Sequence, residues 1–329
     1  MRGATTSFLA AGLTFSGLLA GSVPLADIDW PLHVAMGRRI LALGGLPRTD
    51  AFSWTAAGRP DVLHEWLFQL LWALLEGAGG PRALQAATAL LTGLGTLAWF
   101  CTARRAQRGD AGAALVALAA LLLFLPRLRA RPDLVTWVAV PLLMRLSTGA
   151  VGGRAWIWVF LGCCLGSNMH GAALAGAVLL LAAAAASTFA ERRLDRSRCG
   201  VALAAAAGVL ATPNGFALIA YAGRTACLGA LVPEWSSLLA LPEHQLFLAI
   251  QGLVGLAALL ALAALASAML RRRPLKEAAL WGCGAAGTLL AFRAHRFGFL
   301  ATLALLHGLP QEGMRWAREA SRIDRKSVV

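Results

Sequence analysis

Two aspartates with one residue between them, Asp27 and Asp29, follow directly on an apolar N-terminal stretch. Carboxylates so spaced can share a divalent cation such as Mg or Mn, or one can serve as general base while the other orients it. Either could instead cap the helix that follows. Further along stand His33, the pair His64-Glu65, the alternating arginines Arg127, Arg129 and Arg131, then Asn168 with His170, Glu234, and the group Arg293, His295 and Arg296. Histidines and carboxylates can move protons, and the arginine fork can hold a phosphate by two parallel bonds. Phe68 stands where HExxH would need its second histidine, so a zinc-protease pattern is absent. Neither a phosphate-binding GxxxxGK[ST] loop nor a G-x-S-x-G elbow occurs.

The elements that must position these residues are set by hydropathy. Of 329 residues 58% are hydrophobic and 14% charged, against roughly 25% charged in soluble domains. Apolar runs recur at 5–25, 83–103, 111–126, 133–150, 155–168, 171–190, 200–212, 246–270, 278–292 and 297–310. A bilayer crossing needs about 20 such residues, and shorter helices are tolerated around internal cavities. The expected fold is an all-α polytopic membrane bundle of about ten spans, one domain over 1–310, with a basic cytoplasmic tail at 311–329. Residues 5–25 read as a retained span, because Val23-Pro24-Leu25-Ala26 is a poor signal-cleavage site.

With the N-terminus inside, the basic segments around Arg104, Arg154, Arg192, Arg271 and Arg315 all fall on the cytoplasmic side. Residues 62–78 and 215–231 must then lie at the outer surface without crossing. The net charge of +14 thus belongs to loops that meet anionic membrane lipids, which argues against nucleic acid as a partner. Six cysteines show no CxxC spacing, and a disulfide framework or zinc site is not indicated. Glycine and alanine spacings in 171–190 and 200–210 suit close helix packing. Most histidines, and the carboxylates without a basic neighbour, gather on the outer face. The outer loop at 26–80 holds an interfacial helix from Trp30 to Leu43, stopped by Gly44-Gly45, and a turn at Pro47 and Asp50.

This loop resembles the first external loop of the GT-C superfamily of integral membrane glycosyltransferases. The match rests on D-x-D-x-x-x-H-x-x-x-G-R, G-x-x-P-R-x-D-x-F-S-W-T and H-E-W-L, carried by Asp27, Asp29, His33, Gly37, Pro47, Asp50, Phe52, Ser53, His64, Glu65 and Trp66. Arg131-Pro132, Asn168-Met169-His170-Gly171, Thr212-Pro213-Asn214-Gly215 and Glu234-Trp235 agree with it. The resemblance implies transfer of a sugar from a polyprenyl-phosphate donor at the outer face of the cell's inner membrane. Asp29 or Asp27 would be the base, and Arg127, Arg129, Arg131, Arg293 and Arg296 would hold the lipid phosphate. His33, His64, Glu65, Asn168, His170, Glu234 and His295 would line the substrate pocket. The chain is shorter than the family members it resembles, which leaves room for a partner subunit. A non-catalytic or transport protein handling lipid-linked sugars is the alternative; charges near span ends and the lack of an internal repeat favour the enzyme.

Overall fold

The computed structural model describes residues 2–22, 24–25, 27–106, 109–147, 153–226, 275–293 and 299–303, with isolated positions between 252 and 266. Every named element among them is helical: α1 (Arg2–Gly21), α2 (Trp30–Leu43), α3 (Trp66–Ala106), α4 (Asp110–Phe124), a 3-10 turn (Leu125–Arg127), α5 (Asp133–Ser147), α6 (Ala155–Met169), α7 (Ala173–Glu191), α8 (Arg196–Leu210), α9 (Ala217–Ala226) and α10 (Leu275–Arg293). The expected spans at 246–270 and 297–310 and the tail at 311–329 fall largely or wholly outside the described residues.

Gly3–Gly21, Trp66–Ala106, Asp110–Arg127 and Ala173–Glu191 are long and apolar enough to cross a membrane. Helices α5, α6 and α8 have 15 residues each, short of the roughly 20 a crossing needs by itself. Four of the ten expected spans therefore meet the length criterion among the described residues. The protein is a membrane protein whose named elements, among the described residues, are all helical.

Helix α3 is two helices joined across a break. Gly79 (φ −151°, ψ 16°) and Gly80 (φ 63°, ψ −160°) leave helical geometry immediately before Pro81. Only glycine enters the Gly80 conformation without strain, and Pro81 can begin the second arm because a first-turn residue needs no N–H partner. The first arm matches the stretch expected not to cross, and the second matches the span at 83–103.

Apolar surface gains little by moving from lipid to protein, so packing and hydrogen bonds must hold the bundle. Gly17 and Gly21 of α1 sit against Thr96 and Thr92 of α3, and Gly208 of α8 sits on the Phe160 carbonyl of α6. Gly282 of α10 lies over Ala182 and Ala186 of α7, so the small residues of 171–190 and 200–210 serve close helix approach. Thr88, Thr92 and Thr96 each return the hydroxyl to the carbonyl four residues back at 2.8 Å, which satisfies three buried hydroxyls. Trp137 of α5 donates to the Thr92 carbonyl at 3.1 Å and stacks on Phe124 with ring centroids 4.6 Å apart.

Candidate functional site

The elements that matter are the ends of four helices and the loops between them. Helix α2 begins with Pro31 in its first turn and ends on Gly44, which adopts the left-handed conformation at φ 61°. Asp29 occupies the N-cap position but makes no side-chain cap bond, so the capping alternative does not hold for it. Asp27 Oδ1 instead accepts from the Asp29 amide at 3.2 Å. Gly37 brings α2 onto the first arm of α3, against the Gln69 carbonyl. Asp50 closes a tight turn by accepting from the Phe52 and Ser53 amides at 2.9 and 2.8 Å; the Ser53 side chain first, and then these amides, hold its carboxyl below the usual range.

The later fragments converge on this loop. Asn168, at the end of α6, accepts from Trp66 Nε1 at 2.7 Å and donates to the Ala211 carbonyl at 3.0 Å. Asn214 donates to the Leu63 carbonyl at 3.0 Å. Gly171 lies beneath the His64 ring, where a Cβ would stand 3.0 Å from Cδ2. Between α4 and α5 the chain makes successive three-residue turns, Arg129 N to Arg127 O at 2.8 Å and Arg131 N to Arg129 O at 2.7 Å. Arg127 and Arg131 line one cavity, and Arg129 lines another beside Asp27.

The main cavity measures about 380 Å³. Its polar wall carries Asp29, His33, His64, Glu65, Arg127, Arg131, Asp133 and His170. Its apolar wall comes from Leu174 and Val178 of α7, Leu218 and Tyr221 of α9, and Leu290 of α10. Arg131 joins both aspartates: it donates from Nε to Asp27 Oδ2, from Nη2 to Asp27 Oδ1 at 2.7 Å, and its Nη2 lies 2.8 Å from Asp29 Oδ2. The Asp27 side chain is 1% exposed and that of Asp29 is 41% exposed, so the pair is asymmetric. Burial works to raise the Asp27 pKa, and the Arg131 bonds, the Asp29 amide and the Arg129 charge together outweigh it and hold the carboxyl low.

A cation shared by Asp27 and Asp29 does not fit this arrangement, because one guanidinium already bridges both carboxylates. No group of three His, Cys, Asp or Glu among the described residues is placed to hold a metal ion.

Glu65 is the hub of the second cluster. His64 Nε2 lies 3.4 Å from Glu65 Oε1, His170 Nε2 3.8 Å from the same oxygen, and His33 Nδ1 3.9 Å from Oε2. His170 Nε2 is also 3.8 Å from Asp133 Oδ1, while its Nδ1 shares a 2.7 Å hydrogen bond with Thr136 Oγ1. Asp133 pairs in turn with Arg127 at 2.6 Å. Burial opposes ionisation of Glu65, yet the His64 hydrogen bond and the charges of His64, His170 and His33 bring its pKa down to about 2. Burial alone would lower His64, and its contacts with Glu65, the Val62 carbonyl and Asp61 raise it instead. His33 is lowered by burial despite the pull of Glu65 and Asp29. Its Nδ1 is buried at the cavity wall, makes no hydrogen bond among the described residues and has Glu65 Oε2 as its nearest acidic neighbour.

Of the residues singled out from sequence, the cavity gathers Asp29, His33, His64, Glu65, Arg127, Arg131 and His170. Asp27 stands behind Arg131. Arg129 faces the neighbouring cavity, Asn168 is a buried clamp between loops, and Arg293 is exposed at the end of α10, one turn past the lining Leu290. Glu234, His295 and Arg296 lie outside the described residues. Asp133, Thr136 and Tyr221 were not expected as site residues. The usable signals were an acid six residues from Arg127 in a basic turn, and the one tyrosine in the chain. No family model, no curated protein and no solved structure matches this chain.

Proposed function

We propose that the protein is a GT-C-type membrane glycosyltransferase that moves a sugar from a polyprenyl-phosphate donor to an acceptor at the outer face of the cytoplasmic membrane. In this reading the chain is a polytopic bundle of about ten spans with both termini inside, and the Glu65 cluster faces out. The observation that carries it is the two-walled cavity: charged groups on one side, aliphatic residues of α7, α9 and α10 on the other. An amphiphile with a phosphate head and an isoprenoid tail has the matching chemistry.

The roles divide by exposure. Asp29, facing the cavity, orients or deprotonates the acceptor hydroxyl. Arg131, its fork held by Asp27, sets a fixed positive charge on the cavity wall beside the phosphate that leaves. Tyr221, whose ring lies 4.6 Å from that of His64, gives a flat surface on which a sugar can rest. The test is a strain lacking the protein, complemented with wild type or Asp29→Asn, with surface glycans profiled. Loss of a glycan in the deletion, its return with wild type and its absence with the variant are expected. Return with the variant at normal protein level would refute the catalytic role. Glycans unchanged by the deletion would refute the transferase.

A further inference from the structure

A second cavity, about 450 Å³, lies at the opposite end of the bundle from the Glu65 cluster. It is enclosed by the start of α1, the end of α3, the start of α4 and the end of α5, whereas the main cavity uses the residues just before α3, the end of the 3-10 turn and the start of α5. Helix α4 with its 3-10 turn separates the two by 18 residues, about 27 Å of rise. The two cavities therefore address opposite surfaces of the membrane.

Its lining carries three guanidinium groups, Arg104, Arg105 and Arg145, against one carboxylate, Asp110. Asp110 is engaged within the wall: Arg104 Nε donates to it at 2.7 Å, and so does the Thr6 hydroxyl of α1. That arrangement fixes Arg104 within the wall. Arg105 and Arg145 are exposed at its rim on different helices. The floor is apolar, with Phe100 buried beneath the arginines. The outer surfaces of the same helices are apolar: Leu142 one turn before Arg145 on α5, Leu115 on α4 and Phe8 on α1 are all exposed. A basic rim over an apolar belt is the surface a diacyl lipid would meet.

We propose that this cavity binds the phosphodiester head group of an anionic glycerophospholipid. Arg105 and Arg145 are its phosphate ligands, and Arg104, held by Asp110, supplies the adjoining charge. Arginine forks suit phosphate oxygens, and basic recesses between membrane helices are established lipid head-group sites. A free phosphate would use the same arginines but would have no use for the exposed Leu142, Leu115 and Phe8. By joining α1 to α3, α4 and α5 where they meet, a bound lipid would stabilise the bundle. The proposal does not depend on the transferase reading.

The experiment is thermal unfolding of the full chain in a neutral detergent, with added phosphatidylglycerol, phosphatidylcholine or inorganic phosphate. Phosphatidylglycerol should raise the midpoint by about 5 °C, with little change from the other two. The Arg105→Gln/Arg145→Gln double variant should lose that rise. Arg105→Lys, which keeps the charge but not the fork, should show a smaller one. An equal rise with phosphatidylcholine, or a full rise in the double variant, would overturn the site. An equal rise with inorganic phosphate would replace the lipid by a free anion. Should the double variant not fold, the lysine variant and the three wild-type arms still decide.

Discussion

Arg131 Nη2 donates to Asp27 Oδ1 at 2.7 Å across 104 residues of sequence. The same nitrogen lies 2.8 Å from Asp29 Oδ2, so one guanidinium ties the loop after α1 to the start of α5. The two aspartates differ in what surrounds them: Asp27 is enclosed and Asp29 opens on the cavity.

That difference predicts opposite phenotypes. Asp27→Asn should cost about 1–3 kcal/mol of stability, because a largely buried guanidinium loses its buried charged partner and keeps only the half-exposed Asp29. It should appear as a lowered unfolding temperature in detergent. Asp29→Asn should cost less than about 1 kcal/mol and yet abolish glycan transfer. A stable Asp27→Asn, or an Asp29→Asn that unfolds, would contradict the division of roles.

The Glu65 cluster predicts a pH dependence. Glu65 is lowered from 4.5 to about 2, so its contribution is complete above pH 4.5 and is lost as pH falls through about 2. His64 is raised from 6.5, so its contribution is complete below 6.5 and is lost as pH rises through the higher folded value. The pair is therefore strongest between pH 4.5 and 6.5. Glu65→Gln should destabilise by about 3 kcal/mol in that window, and its unfolding curve should approach that of the wild type toward pH 2. A gap independent of pH would show that Glu65 acts through packing alone.

Gly37→Ala tests the seating of α2. Its new Cβ would collide with the Gln69 carbonyl and stand 2.7 Å from Ala73 Cβ, neither of which is a flexible chain end. Overpacking of this kind costs about 1–3 kcal/mol. Displacement of α2 should also carry His33 off the cavity wall, so transfer should fall further than the folded fraction does. Exposed Gly45, with nothing near its position, serves as the control at which alanine should be silent.

Asn168 makes the contrasting case. As a clamp between Trp66 and the Ala211 carbonyl, its replacement by alanine should cost about 1–3 kcal/mol. Because it does not line the cavity, transfer per folded molecule should stay near wild type. A large fall in transfer at unchanged unfolding temperature would place it among the substrate contacts.

The sequence revealed residue types more readily than relationships. Apolar runs located α1, α4 and α7, and the separate stretches at 62–78 and 83–103 divided α3 near where it breaks. Gly44 ended α2 where its conformational freedom suggested. The site was legible in part, since a histidine beside a glutamate and arginines at every second position are unusual near membrane spans. What spacing could not carry was pairing. Arg127 read as a free phosphate ligand, but the turn folds it onto Asp133 at 2.6 Å. Asn168 read as a substrate-pocket residue and Asn214 as part of an outer-side motif, and their partners stand 102 and 151 residues away. Asp27 and Asp29 read as alternative bases, with Asp29 slightly preferred for leading into α2, and burial, which separates them, is set by the whole bundle.

The Gly79-Gly80 break in α3 has a consequence for register. In an unbroken helix, one inserted residue rotates everything before it by about 100° relative to everything after. Here an insertion at the break would be absorbed there, and Glu65, Trp66 and Gln69 would keep their bearing on α2. The same insertion at residue 74 would swing that face away from its partners. The two arms can thus drift in length independently, and the cavity at the head of the first arm is insulated from changes in the length of the second.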